Sequence, residues 1–218
     1  AYWGIWLDNS SQVQIEGNDI QSRSHGILLL NGSSLYVSDN LVMIDDAGNS
    51  TSRASLLANV SDVVFQRNEI DGGEIGLAAL DCQNNELLYN NITQSNNAIY
   101  IQDAYGLNIS NNRLKKGDYG IRVDNSSQNS IIGNLVRDYI IALDIGAAED
   151  NRISKNQFVG ITDAAMQITS SGNCEILENE FVDGFRGIML IESPANLLQA
   201  NRFQNVTWSL YVESQTKE

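Results

Sequence analysis

Apolar residues recur along this chain in three short clusters for every 22 residues or so. Counted back from a repeated asparagine, the positions thirteen and eleven residues earlier are mostly apolar pairs: Ile5/Leu7, Ile27/Leu29, Leu77/Ala79, Ile99/Ile101, Ile121/Val123, Leu143/Ile145, Met166/Ile168 and Ile188/Leu190. Alternation of this kind predicts a short strand with one buried face. A second apolar position lies three residues before the asparagine, from Ile15 and Val37 to Leu198, and a third lies two residues after it, from Ile20 and Val42 to Phe203. The position fourteen before is always small, from Gly4 to Gly187, with Ser209 in a tenth, partial repeat. Three strands in so short a unit leave no room for a helix. The prediction is an all-β coil that buries its apolar faces only by stacking on its neighbours.

The asparagines that set this ruler are Asn18, Asn40, Asn68, Asn90, Asn112, Asn134, Asn156, Asn179 and Asn201, spaced 22, 28, 22, 22, 22, 22, 23 and 22 residues apart. Asparagine tolerates the left-handed backbone of a tight turn, and its amide both donates and accepts. With neighbouring coils ~4.8 Å apart, equivalent amides can bond up the stack as a ladder. These residues are therefore expected to hold a turn and not to catalyse.

The recurring small-Ile-x-Leu unit followed by Ile-x-x-Asn-x-Ile/Phe resembles the right-handed parallel β-helix repeats of pectate-lyase-like proteins and of the periplasmic proteins that mature nitrous-oxide reductase. The resemblance covers nearly the whole chain and implies a single-stranded right-handed parallel β-helix over residues 1–218: about ten coils, three short strands each, with an internal asparagine ladder. A leucine-rich repeat would want several fixed leucines with a helical segment. A left-handed hexapeptide helix would want an 18-residue coil.

Composition narrows the partners. With 27 acidic against 13 basic residues, the net charge of −14 repels nucleic acid and anionic membranes. No apolar run approaches the ~18 residues of a membrane span. The opening Ala1-Tyr2-Trp3-Gly4 already reads as part of a coil, and no cap is evident after Ser214, so the sequence reads as a mature fragment or excised domain that needs flanks or an oligomer at its ends. Cys82 and Cys174, four coils or ~19 Å apart along the axis, are expected to be free, buried thiols. Eight Asn-x-Ser/Thr sequons, at Asn9, Asn31, Asn49, Asn59, Asn91, Asn108, Asn125 and Asn205, follow from the Asn- and Ser-rich turns and say little about glycosylation.

Candidate chemistry lies in two outward columns of the first strand, twelve and ten residues before each asparagine. In the early coils these columns hold Trp6, Leu28, Leu30, Leu56 and Leu80, an apolar strip expected to dock a loop, another domain or a second chain. Later they hold Tyr100, Gln102, Arg122, Asp124, Asp144 and Gln167. Asp124 and Asp144 sit diagonally on adjacent coils, close enough to serve as acid and base or to share Ca²⁺. Arg122 would clamp a carboxylate or stabilise developing charge, and Tyr100, Gln102 and Gln167 would contact substrate. In the resembled lyases and hydrolases this face carries the active groove. Ordinary solvated ion pairs are the competing reading. Asp81 and Asp103 align with Asn9, Asn31, Asn59 and Asn125 as turn residues.

Three features remain. An insertion over 43–53 enlarges one coil and is either a groove border or a tolerated excursion. Arg113, Lys115, Lys116, Arg122, Arg137, Arg152 and Lys155 concentrate positive charge that, like bound Ca²⁺, would be needed to offset the acidic chain if the ligand were a polyuronate. The second resembled family suggests copper, yet the lone His25, read as a turn residue, and the scattered Met43, Met166 and Met189 supply no ligand set, and no metal site is expected from them. The functional expectation is an extracellular, cell-surface or periplasmic domain engaging polysaccharide along its first-strand face, as a binder or as a lyase, epimerase or hydrolase. Its rival is a non-catalytic structural or adhesive domain.

Overall fold

The computed structural model describes residues 2–45 and 51–214, and these form a parallel β-helix without a helix among them. Ten first strands stack in register, from Trp3–Asp8 and His25–Leu30 through Asn97–Gln102 to the C-terminal half of Arg202–Glu213. Nine second strands, from Gln14–Glu16 to Leu197–Gln199, form their own sheet. The third strands begin with Asp19–Ser22. From Arg113–Asp124 onwards each runs unbroken into the next first strand, which fuses those two faces into one sheet. Repeat, strand assignment and register therefore match the pattern read from the sequence.

The inward residues of all three strands make one continuous core, with Ile27, Leu57, Ile99, Ile121 and Ile145 from the first strand, Phe65, Leu87 and Ile131 from the second, and Val42, Ile92 and Val136 from the third. In the later coils Phe158, Phe181 and Phe203 stack at centroid separations of 5.2 and 4.8 Å. The small column fourteen before the asparagine has a steric cause. It turns inward at the corner onto the third strand: a Cβ on Gly120 would fall 2.4 Å from Val136 Cγ1 and 2.5 Å from the Ala142 carbonyl oxygen. At Gly120 only the bare backbone leaves that room, and elsewhere in the column nothing larger than alanine or serine occurs.

The asparagine column is an unbroken ladder. Each rung's Oδ1 accepts both the backbone N–H and the side-chain amide of the preceding rung, at 2.9–3.1 Å from Asn18 to Asn201. Its own Nδ2 also reaches a second-strand carbonyl of the preceding coil, as Asn112 does to Leu87 at 2.8 Å. One expectation is corrected here. The left-handed backbone belongs to the residue before each rung, Gly17 through Lys155 to Ala200, with φ of 52–68°, and not to the asparagine itself. The rung must direct its amide along the stack while its neighbour turns the corner. Left-handed residues also recur nine positions before the rung, at Asn9, Asn31, Asn59, Asp81, Asp103 and Asn125 with φ of 48–53°, which agrees with their reading as turn residues.

A second, interrupted ladder was not legible beforehand. Asn85, Asn129, Asn151 and Asn196, five residues before four of the rungs, each accept the backbone N–H of the residue one coil earlier at 2.8–2.9 Å. Val63, Leu107 and Cys174 share the column, so its polar character was masked. Cys82 and Cys174 are free and buried, as expected. Burial pushes the Cys82 thiol up to about 11.

The insertion is shorter than 43–53. Met43 and Ile44 end a strand, Arg53 begins the next, and 46–50 lie outside the described residues. His25 is likewise not a turn residue but the first residue of a strand, in register with Trp3 and Arg53.

Candidate functional site

The stacked register brings the six expected site residues into one connected cluster. Tyr100, Arg122, Asp144 and Gln167 pair directly across consecutive coils, as do Gln102 and Asp124. Because a parallel ladder places equivalent residues ~4.8 Å apart, these side chains touch without any loop to position them. Arg122 lies at the centre. Its Nε is 3.1 Å from Asp124 Oδ2 and 3.8 Å from Asp144 Oδ2, near enough for ion pairing with both. The N–H is aimed at neither oxygen, so it makes no hydrogen bond. The guanidinium is also flanked by two rings, 5.9 Å from the Tyr100 centroid and 5.3 Å from that of Tyr119.

Hydrogen bonds extend the cluster at either side. Gln167 Nε2 donates to Asp144 Oδ1 at 3.3 Å. Tyr100 Oη donates to Gln102 Oε1 at 2.8 Å, and Gln102 Nε2 donates to Asp103 Oδ2 at 3.0 Å. Burial holds the Asp144 carboxyl above its ordinary value; Asp124 adds to that, while Arg122 and Gln167 oppose it. Asp144 keeps a side-chain exposure of 14%, against 29% for Asp124 and 39% for Arg122. Desolvation therefore outweighs the nearby guanidinium. Gly146 stands next to Asp124 in its column, where even a Cβ would sit 3.4 Å from Asp124 Oδ1. Its bare backbone leaves a notch beside the two carboxylates.

Tyr119 was missed by counting along the strand in twos. The corner glycines and alanines turn inward, which reverses the alternation and sends the residue fifteen before the asparagine outward. That column reads Trp3, His25, Arg53, Ile75, Asn97, Tyr119, Ile141, Ala164, Arg186 and Trp208. Its aromatic and arginine content was the available signal.

The early coils differ from expectation. Of the apolar strip, only Trp6 is well exposed at 50%; Leu28 is buried at 7%, and Leu30, Leu56 and Leu80 are half-buried. Stacked leucines in register cover one another. Trp6 meets Trp3 edge to face, with centroids 4.9 Å apart. The basic concentration also divides. Arg113, Lys115 and Arg137 line third strands, and Arg152 and Lys155 pair with Glu175 and Glu178, which leaves Arg122 on the first-strand face. Beside the insertion, Gln21, Arg23, Met43, Asp45 and Asp71 line a cavity of about 390 Å³, three coils away from Arg122.

No group of three or more His, Cys, Asp or Glu able to hold a metal occurs among the described residues. His25 Nδ1 lies 3.2 Å from Ser24 Oγ, and the buried sulfurs are spread over three coils, Cys82 in the fourth, Met166 and Cys174 in the eighth and Met189 in the ninth. For Ca²⁺ the geometry is adverse, because the Arg122 guanidinium occupies the approach to both Asp124 and Asp144.

Solved structures share the fold. The surface protein and adhesin PfbA of Streptococcus pneumoniae superposes with a TM-score of 0.75 at 12% identity, over 95% of this chain and 68% of that one. The DFA-IIIase of Arthrobacter chlorophenolicus A6 without its lid gives 0.70 at 15% identity, over 87% of this chain and 54% of the enzyme. The same lidless enzyme in complex with GF2 gives 0.70 at 16%, covering 87% and 53%. This chain thus spans about half to two thirds of their length. No curated protein matches the sequence. Residues 1–142 and 93–218 both match the family described as periplasmic copper-binding protein (NosD), and since the two matches together take in the whole sequence, the chain belongs to that family.

Proposed function

We propose that this chain engages polysaccharide along the outward face of its first-strand sheet, outside the cytoplasm. The observation that carries the reading is the Arg122 cluster: a guanidinium flanked by two tyrosines, set between two carboxylates from adjacent coils and extended by two glutamines. Aromatic faces beside amides and carboxylates suit the mixed apolar and hydroxyl surface of a sugar. A periplasmic family and a structurally similar surface adhesin support the location, and an enzyme crystallised with GF2 on the same fold supports the ligand class.

Copper binding, which the family description carries, has no counterpart in these residues. Copper favours clustered imidazole and sulfur ligands. Here the single histidine has no second histidine to join it, Cys82, Cys174, Met166 and Met189 are buried in the core, and Met43 lines the cavity beside the insertion.

If the cluster is catalytic, Asp144 is the general acid, since its buried carboxyl holds a proton to higher pH than usual, and Asp124 is the base or nucleophile. Arg122 then stabilises developing negative charge. The alternative is a non-catalytic adhesive or structural domain. A glycan panel, screened for binding and turnover with and without Ca²⁺, tests both. Expected are at least one bound glycan and loss of that binding in Arg122→Ala. Turnover abolished in Asp124→Asn/Asp144→Asn supports the catalytic form, and binding without turnover supports the adhesive one. Failure to bind any glycan, or binding indifferent to Arg122, refutes the proposal.

A further inference from the structure

The same face carries a second aromatic and guanidinium cluster to which no role has been given. In the ninth and tenth coils, Trp208 pairs in register with Arg186, and Tyr211 with Met189. These are the two outward columns that hold Tyr119 and Arg122 earlier in the stack. Trp208 and Tyr211 stand on the outward columns of the tenth coil, the last that the structure describes, where even the inward Leu210 is exposed. Arg186 Nη1 donates to Asp163 Oδ1 at 2.7 Å, and its guanidinium lies 5.0 Å from the Phe185 centroid. Tyr211 Oη donates to Glu213 Oε2 at 3.1 Å. The parts of the first cluster recur here: two aromatic rings, an arginine and its carboxylate.

The surface between the clusters is mixed: it presents Asp144, Gln167 and Thr169 beside Gly146, flanked by the apolar Ile141, Ala164, Met189 and Ile191. From Tyr119 to Trp208 is four coils, ~19 Å at ~4.8 Å per coil. The charge of the track selects among ligands. Arg122 and Arg186 are outnumbered by Asp124, Asp144, Asp163 and Glu213, on a chain of net charge −14. Such a surface repels polyanions. Hydroxyl groups, by contrast, can donate to the carboxylates and accept from the amides, while ring C–H faces pack on the aromatics.

We infer that the ligand is a neutral, linear glycan laid along the solenoid axis and gripped at two places, Tyr100 with Tyr119 and Trp208 with Tyr211. This rests on the polysaccharide reading above and specifies its class and length. A sugar unit advances about as far as one coil, ~5 Å, so a chain reaching both grips has about five or six units. Charge disfavours a uronate polymer, and with it β-elimination or epimerisation beside a uronate carboxylate.

The test is titration calorimetry with neutral glucan, xylan and fructan oligomers from dimer to octamer, beside oligogalacturonates of equal length. The proteins are wild type, Tyr119→Ala, Arg122→Ala, Trp208→Ala and Trp208→Phe, each checked for an unchanged thermal melt. Expected are affinity that rises between tetramer and hexamer for one neutral series, a loss of about three- to tenfold for the hexamer in Trp208→Ala, no change for the trimer, and retention in Trp208→Phe. If Tyr119→Ala weakens the hexamer and Trp208→Ala does not, the second grip is wrong while the polysaccharide reading stands. Tighter binding of oligogalacturonates overturns the neutral class. No binding by any series, or binding that ignores Tyr119 and Arg122 alike, removes both this inference and the reading beneath it.

Discussion

Replacing Asn112 by alanine tests whether the ladder holds the solenoid together. Asn112 is fully buried in the middle of the stack. Its Oδ1 accepts from the Asn90 backbone N–H at 2.9 Å and from Asn90 Nδ2 at 3.0 Å, and its Nδ2 donates to the Leu87 carbonyl at 2.8 Å and to Asn134 Oδ1 at 3.0 Å. Alanine removes all four bonds. It leaves the Asn90 N–H and one Asn90 amide hydrogen without an acceptor, in a core that water does not reach. At ~1–3 kcal/mol for each of the two orphaned donors, the expected loss is about 2–6 kcal/mol. Asn18→Ala is the control. Asn18 is exposed, accepts no bond from another rung, and donates to Glu16 at 3.2 Å and Asn40 at 2.9 Å, so water can replace much of what is lost, and the expected cost is about 0.5–1.5 kcal/mol. Urea unfolding followed by circular dichroism gives the two midpoints, and hydrogen exchange of the Asn90 amide reports the local break even if coils unfold separately. The argument fails if Asn112→Ala costs no more than Asn18→Ala, or if the Asn90 amide keeps its protection.

Three further outcomes are expected. Cys82, with its thiol held at about 11 in a buried site, should resist iodoacetamide in the native protein at pH 8 and react promptly in urea; rapid native labelling would contradict the packing. Gly120→Ala should lower stability by about 1–3 kcal/mol, because the new Cβ meets Val136 at 2.4 Å and the Ala142 carbonyl at 2.5 Å; an unchanged urea midpoint would mean that the corner is looser than described. For Asp144 the folded carboxyl is raised, so between its ordinary value of 3.8 and its folded value the native state holds more protons than the unfolded one. Stability from this group is thus present at low pH and lost as pH rises through that window, and Asp144→Asn should gain on wild type as pH rises from 3 towards neutrality. A midpoint difference that stays flat or falls with pH would refute it.

The sequence alone determined the coil number, the three strands, the inward residues, the free cysteines and the grouping of Tyr100, Gln102, Arg122, Asp124, Asp144 and Gln167. It could do so because stacking is covalently ruled: once the repeat length is known, equivalent residues must lie one strand spacing apart, and a column of letters becomes a column in space. Only the tertiary structure decided what happens at corners and between neighbours. It moved the left-handed backbone from each rung asparagine to the residue before it. By turning the small residues inward, it reversed the alternation and brought Tyr119, Arg186 and Trp208 to the same face as Arg122. It also buried Leu28, which the sequence had offered to a partner, because an outward side chain is exposed only as far as its neighbours in adjacent coils leave it so. Periodicity fixes direction along a strand, whereas corners and cross-coil packing depend on side-chain volume in three dimensions.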